Sequence, residues 1–279
     1  MLHGQPGSGS DWARVAEELF MDHRVIAPDR PGWGGHPRPA TGIAENARGL
    51  DLLLDSCGAS APVTVVGHSL GGGVGLELAL QRPELVGALV LVASVGVEGA
   101  VSELDRLLAM PFVGEGALRA GLAAFGRAAD VLGRSAREHT RAESDSAGGR
   151  VADGRSGRDE ARWAGKVPGR PRRLRSFLEA TTTEPMNSRE RSTFLREQRA
   201  LVEETPSLSR RLSQLRLPVA VVSGSADHVV PLGAARALSE SIPGAELVVA
   251  KGEGHLLIRD RPELIARVVR RYAALSGPG

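Results

Sequence analysis

The chain has 279 residues, enough for one large domain or two small ones with a sizeable core. Its 35 basic and 33 acidic residues leave a net charge of +2, which gives no reason to expect a nucleic acid partner. A single cysteine, Cys57, excludes an intramolecular disulfide and a cysteine metal cluster, and no apolar run is long enough to predict a transmembrane segment.

A glycine-rich loop, HGQPG, occupies residues 3–7 near the start of the chain. Gly4 would let the backbone approach a ligand closely, and Pro6 would stiffen the turn. The same pattern also suits an ordinary loop between a strand and a helix, so both interpretations stay open. The residues that follow predict a helix over residues 12–20 and a strand over residues 24–28.

A second glycine-rich loop, DRPGWGG, covers residues 29–35. Asp29 is charged, but we expect a structural and not a catalytic role for it. Trp33 would either contact a substrate or pack in the core, and the pattern does not separate the two. An amphipathic helix over residues 43–57 then leads to the next predicted strand.

The segment around Ser69 carries the strongest chemical signal in the chain. A β-branched run over residues 63–66 predicts a buried strand, and helical spacing follows over residues 74–80. Between them lies GHSLG, with a glycine two places on either side of Ser69, as a strained turn that exposes a nucleophile requires. The pattern predicts a nucleophilic serine, whereas a turn that merely packs is the alternative.

The alternation of strands and helices continues with a strand over residues 88–93 and then stops until residue 217. Helical spacing covers residues 101–129, where Phe112 would belong to the interior of that unit or line a substrate pocket, and it returns over residues 174–212. Residues 133–173 hold eleven basic and six acidic residues and few large apolar ones, so we expect disorder there. A basic nucleic-acid-binding tail and a frameshifted gene sequence are the alternatives.

The last part of the chain supplies an acid and a base for Ser69. A strand over residues 217–224 precedes Asp227, and parallel-sheet enzymes place their sites at that end of their strands. After a helix over residues 232–242 and a strand over residues 245–250, His255 lies in a glycine-rich loop. A serine hydroxyl needs such a base, and the base needs an orienting acid.

The motifs HGQPG, DRPGWGG and GHSLG, followed by an aspartate and a histidine in this order, resemble the serine-nucleophile branch of the α/β-hydrolase superfamily. The resemblance implies a mostly parallel, doubly wound α/β sheet with a helical cap inserted after the strand that follows the nucleophile helix. It implies a core domain of residues 1–94 and 213–279, and a cap of residues 95–212. Members of the family carry further strands before the first loop, so the chain looks shortened at its N-terminus, and we expect low stability.

The resemblance also implies roles for single residues. Ser69, Asp227 and His255 would form a catalytic triad, and the backbone N–H groups of Gln5 and Leu70 would form the oxyanion hole. Strand alternation points the His68 side chain away from Ser69. His68, together with Trp33 and Phe112, is a candidate for the substrate pocket.

The function implied is that of a serine hydrolase that cleaves an ester-type acyl bond of a small molecule, with no metal and no organic cofactor. The serine at position 69 separates the chain from the dehalogenase and epoxide-hydrolase branches, which use an aspartate nucleophile. A hydrolase of C–C bonds and a non-catalytic ligand-binding relative remain as alternatives. We expect a cytoplasmic protein, and nothing in the sequence indicates an oligomeric state.

Overall fold

A parallel β-sheet forms the centre of the computed structural model, which describes residues 1–59, 62–123 and 186–276. Within these residues its strands are β1 (Val63–His68), β2 (Val86–Val92), β3 (Val219–Gly224) and β4 (Glu246–Ala250), hydrogen-bonded in that order. Leu2 adds an isolated parallel bridge to Gly67 on the free side of β1. The carboxyl ends of the strands therefore meet at one edge, where the glycine-rich loops also lie.

Both faces of the sheet are covered, as its continuous apolar strands require. One face packs against α1 (Ala13–Leu19) and α8 (Pro262–Leu275), and residues such as Val66 and Val90 point towards it. The opposite face packs against α2 (Ile43–Ser56), α3 (Leu70–Gln81) and α6 (Leu232–Ser241). This arrangement is the doubly wound α/β fold that the sequence predicted.

The segment between β2 and β3 contains no strand in its described residues, and helices make up most of it. It contains α4 (Glu103–Ala109), a helical stretch over residues 113–123, and the long helix α5 (Ser188–Arg211). The side chain of Asn187 begins α5 by accepting a hydrogen bond from the Glu190 N–H at 3.0 Å. These helices share a small apolar cluster made of Trp33, Leu108, Leu118, Met186, Phe194 and Leu195.

Two sequence predictions about this architecture are wrong. Residues 24–28 form no strand, because their backbone makes a single hydrogen bond to the neighbouring N-terminal segment, from the Met1 amine to the Ile26 carbonyl at 2.7 Å. The helix expected from residue 101 is broken after Ala109, where Pro111 and a left-handed Phe112 (φ 64°) form a turn. A strand needs a ladder of hydrogen bonds, which residues 24–28 lack. A helix needs continuous αR backbone, which the turn at Pro111 and Phe112 interrupts.

The short helix α7 (Leu257–Asp260) and α8 follow β4 and complete the described fold. The segment 133–173, for which we expect disorder, lies outside the described residues. None of the helices in the described ranges combines the length and the apolar composition that crossing a membrane needs.

Candidate active site

Ser69 stands on a sharp turn between β1 and α3. Its backbone has φ 53° and ψ −120°, a conformation that costs a non-glycine residue about 1–3 kcal/mol. Surrounding hydrogen bonds hold it there: the Ser69 N–H donates to the Val92 carbonyl at 3.0 Å, and the Ser69 carbonyl accepts from the Gly72 N–H at 3.0 Å. A Cβ on Gly67 would lie 2.5 Å from the Gly71 carbonyl oxygen, so the turn closes only with glycine at that position.

Asp227 and His255 form a buried pair at the ends of β3 and β4. One carboxylate oxygen of Asp227, Oδ1, accepts hydrogen bonds from the N–H groups of Val229 (2.8 Å) and Val230 (2.9 Å). The other oxygen, Oδ2, lies 2.9 Å from Nδ1 of His255. Because Oδ2 of an ionised carboxylate only accepts, Nδ1 carries the proton in neutral His255 and Nε2 keeps its lone pair. The imidazole is thereby held in the tautomer that a general base needs.

His68 lies directly beside this pair. Its ring centroid is 4.9 Å from that of His255, and its Nε2 lies 3.0 Å from the His255 carbonyl oxygen, to which it donates. Burial, and then the proximity of His255, lower the pKa of His68 to about 3, so the ring is neutral near pH 7. So low a pKa makes the His68 ring a weak base.

The loop at residues 3–7 passes close to the serine. A Cβ on Gly4 would lie 3.0 Å from the Ser69 Cβ, so a side chain at position 4 would crowd the serine. Among the described residues, none accepts a hydrogen bond from the N–H of Gln5 or of Leu70. Gln5 and Leu70 line the same cavity as Ser69.

A cavity of about 750 Å³ opens over Ser69. Its walls come from the loop at residues 3–7, from the turn around Ser69, from the loop after β4 and from α5, which contributes Gln198 and Leu201. The size suits a small organic molecule. Searched over the described residues, no three His, Cys, Asp or Glu side chains come together in a way that would hold a metal ion.

The structure brings most of the sequence-predicted site residues to this cavity. Ser69, His255, Gln5, Leu70, Trp33 and His68 line it, and Asp227 lies behind His255. The expectation that Phe112 lines the pocket is wrong, because the turn after Pro111 leaves its side chain 96% exposed. Trp33 is 3% exposed and also belongs to the apolar cluster with α5, so it packs and borders the cavity at once.

Sequence reasoning missed two buried charges next to the site, Arg30 and Glu197. They are 2% and 0% exposed and form an ion pair between the loop after residue 28 and helix α5. A signal for Glu197 exists in the sequence: it lies three residues after Phe194 and four before Leu201, on the apolar stripe of its helix. A charge on such a stripe indicates a buried partner.

Comparisons with known proteins identify the family of the chain. The family model described as alpha/beta hydrolase fold matches residues 1–262. A 2-hydroxymuconate semialdehyde hydrolase of Pseudomonas putida is 30% identical over 255 residues, which cover 90% of this chain and 77% of that protein. The lipase LipV of Mycobacterium tuberculosis is 42% identical over 114 residues, 39% of this chain and 43% of LipV.

Solved structures share the same architecture. A thermophilic esterase from Thermogutta terrifontis superimposes with a TM-score of 0.64 at 20% identity, covering 99% of this chain and 89% of the esterase. At that level of identity the likeness concerns the fold.

Proposed function

Because the chain belongs to the alpha/beta hydrolase fold family, we propose that it is a serine hydrolase that cleaves a carboxylic ester-type bond of a small molecule. One observation carries the proposal. Ser69 stands on a strained turn in the same cavity as His255, whose Nδ1 is held by Asp227 at 2.9 Å. A hydroxyl, an oriented base and an orienting acid are the components of acyl transfer through a serine.

In the proposed reaction, Ser69 Oγ attacks the acyl carbonyl carbon while its proton passes to Nε2 of His255. Asp227 stabilises the imidazolium, and the N–H groups of Gln5 and Leu70 donate to the oxyanion. The C–O bond of the ester then breaks, and the alcohol leaves with the proton from His255. A water molecule, deprotonated by His255, releases the acid and restores Ser69, so this chemistry needs neither a metal nor an organic cofactor.

We propose that residues 95–212 act as a cap over a core of residues 1–94 and 213–279. Support comes from α5, which contributes Gln198 and Leu201 to the cavity above Ser69 while its far end packs against the sheet layer through Leu208. A cap of this kind would exclude water from the acyl-enzyme and select substrates by shape.

A second candidate is the hydrolysis of a C–C bond in a vinylogous diketone by the same residues. The 30% identity to a 2-hydroxymuconate semialdehyde hydrolase favours it. The third candidate is a ligand-binding protein without catalytic activity. Such a protein would use the same cavity, but its Ser69 would not react.

The test is covalent labelling with a fluorophosphonate, followed by turnover of p-nitrophenyl esters of graded chain length and of a ring-cleavage diketone. We expect label on Ser69 and none on the Ser69→Ala variant, and His255→Ala should lose turnover to a similar extent because triad residues act as a unit. Ser10→Ala is the matched control for labelling: Ser10 lines the same cavity, but its hydroxyl pairs with Ser8 at 2.6 Å.

The outcomes separate the candidates. Turnover of the diketone in preference to every ester would favour the C–C hydrolase. A wild-type protein that takes no label, or a Ser69→Ala variant that keeps most of its turnover, would overturn the nucleophile assignment.

A further inference from the structure

The side chain of Arg30 connects the loop at residues 3–7 with helix α5. Its Nε donates to the His3 carbonyl at 2.8 Å, and its Nη2 donates to the Gly4 carbonyl at 2.8 Å. On its other side, Nη1 forms a buried ion pair with Glu197 Oε1. The guanidinium fork can serve several oxygens at once because its donors are planar and fixed in direction.

We infer that Arg30 is a positioning residue for the oxyanion hole, and this inference rests on the proposed function. The Gly4 carbonyl and the Gln5 N–H belong to one planar peptide unit, and in a trans unit they point in opposite directions. Holding the carbonyl on the guanidinium therefore turns the N–H away from Arg30 and towards the cavity. Without the hydrogen bond from Arg30, the peptide plane could rotate and the Gln5 N–H would no longer point at the oxyanion.

His3 donates a second hydrogen bond to the Gly4 carbonyl, and Arg30 fixes the tautomer of His3 that makes this bond possible. The backbone N–H of Arg30 donates to Nε2 of His3 at 2.9 Å, so in the neutral ring the proton sits on Nδ1. That nitrogen lies 2.8 Å from the Gly4 carbonyl oxygen and donates to it. Burial, together with the charge of Arg30, lowers the pKa of His3, which keeps the ring neutral. Two donors on one carbonyl also polarise the peptide and strengthen its N–H.

Glu197 sets the position of the guanidinium from the side of α5. Its Oε2 accepts hydrogen bonds from Trp33 Nε1 at 2.8 Å and from Arg30 Nη2 at 3.3 Å. Burial raises the pKa of Glu197, so its charged form depends on the neighbouring guanidinium. The oxyanion hole is therefore correctly formed only when α5 is docked, which links the cap to the chemistry.

A matched comparison exists in the same helix. Arg211 of α5 pairs with the buried Glu77 of α3, with Nη2 2.6 Å from Oε2. This pair also ties α5 to the core, but neither residue contacts the loop at residues 3–7 through a hydrogen bond or ion pair within the described chain. Removing it tests the loss of a buried ion pair between α5 and the core, while Arg30 and Glu197 still hold α5 at the loop.

The experiment uses Arg30→Met/Glu197→Gln, which removes both charges, leaves no unpaired one, and keeps an acceptor for Trp33. Arg30→Lys keeps the charge opposite Glu197 but lacks the fork, and Glu77→Met/Arg211→Met is the control. We measure kcat and KM for a p-nitrophenyl ester. We also measure affinity for a boronic acid, which forms a tetrahedral adduct with Ser69, and for the product carboxylic acid.

Loss of one oxyanion donor costs roughly 10²–10³ in rate; because the Gln5 N–H is misplaced and not removed, we expect kcat to fall by about 10- to 100-fold in both Arg30 variants. KM and the affinity for the product carboxylic acid should stay within about threefold of the wild-type values. The affinity for the boronic acid should fall by the same factor as kcat. The control should keep kcat within about threefold. If the double variant fails to fold, Arg30→Lys decides by the same measurements.

Unchanged kcat in a folded Arg30 variant would overturn the inference. So would an equal loss of kcat, product affinity and boronate affinity, since that pattern indicates a general structural role. A wild-type protein that takes no fluorophosphonate on Ser69 would instead contradict the proposed function, which keeps the two failures apart.

Discussion

Replacing Asp227 with asparagine tests the orientation of the base most directly. The oxygen Oδ1 accepts from two backbone N–H groups, those of Val229 and Val230, at 2.8 and 2.9 Å. An asparagine at this position keeps these bonds only if its amide oxygen takes the place of Oδ1. Its NH₂ group then faces Nδ1 of His255, where Oδ2 stands now.

The consequence follows from the hydrogen-bond inventory. Facing an NH₂ donor, Nδ1 of His255 must accept, so the ring proton moves to Nε2 and the ring can no longer take the proton of Ser69. The reversed amide would restore the tautomer but would set its NH₂ group against two backbone N–H donors, which is costly in a buried site. In a serine protease the equivalent change costs about 10⁴ in kcat, and we expect a loss of that order here.

The assay is steady-state hydrolysis of a p-nitrophenyl ester, with the melting temperature of each variant measured alongside. Asp29→Asn is the matched control, because Asp29 also accepts two backbone N–H groups, those of Gly9 and Gly35, at 2.8 Å each. We expect the control to lose some stability but to keep kcat within about threefold. An Asp227→Asn variant that retains more than about a tenth of the wild-type kcat would refute the assignment of Asp227 as the orienting acid.

Three further predictions concern stability. Gly71→Ala would push a Cβ against the carbonyl oxygens of Leu2 and His3 and should lower both the melting temperature and kcat. The control is Gly49→Ala, in open space within α2, which should raise the free energy of unfolding in urea by about 0.5–1 kcal/mol. The pKa of His68 is about 3 in the folded protein and 6.5 for a free histidine side chain, so the unfolded chain binds the extra proton and stability should fall as pH drops from about 6.5 towards 3. The His68→Gln variant should lose less stability over this pH range. A pH dependence identical to that of the wild type would contradict the prediction. Trypsin should cut first within residues 133–173; protection there would contradict the expected disorder.

The local features of this protein could be predicted from its sequence because they depend on neighbours along the chain. Gly67 is required by sterics within a few residues, because a Cβ there would meet Gly71 and Gly72, and the apolar run of β2 requires a strand covered on both faces. The doubly wound class and the convergence of Ser69, Asp227 and His255 follow once each is seen to lie in the turn or loop after a parallel strand.

What only the tertiary structure decided depends on contacts between distant parts of the chain. Arg30 and Glu197 are 167 residues apart, and no local pattern pairs them. Residues 24–28 form no strand because no neighbouring segment pairs with them through a ladder of backbone hydrogen bonds. Phe112 is exposed because a turn interrupts its helix. The sequence restricts the backbone conformation of each segment locally, but burial and partner choice are set by whichever distant residues the folded chain brings alongside.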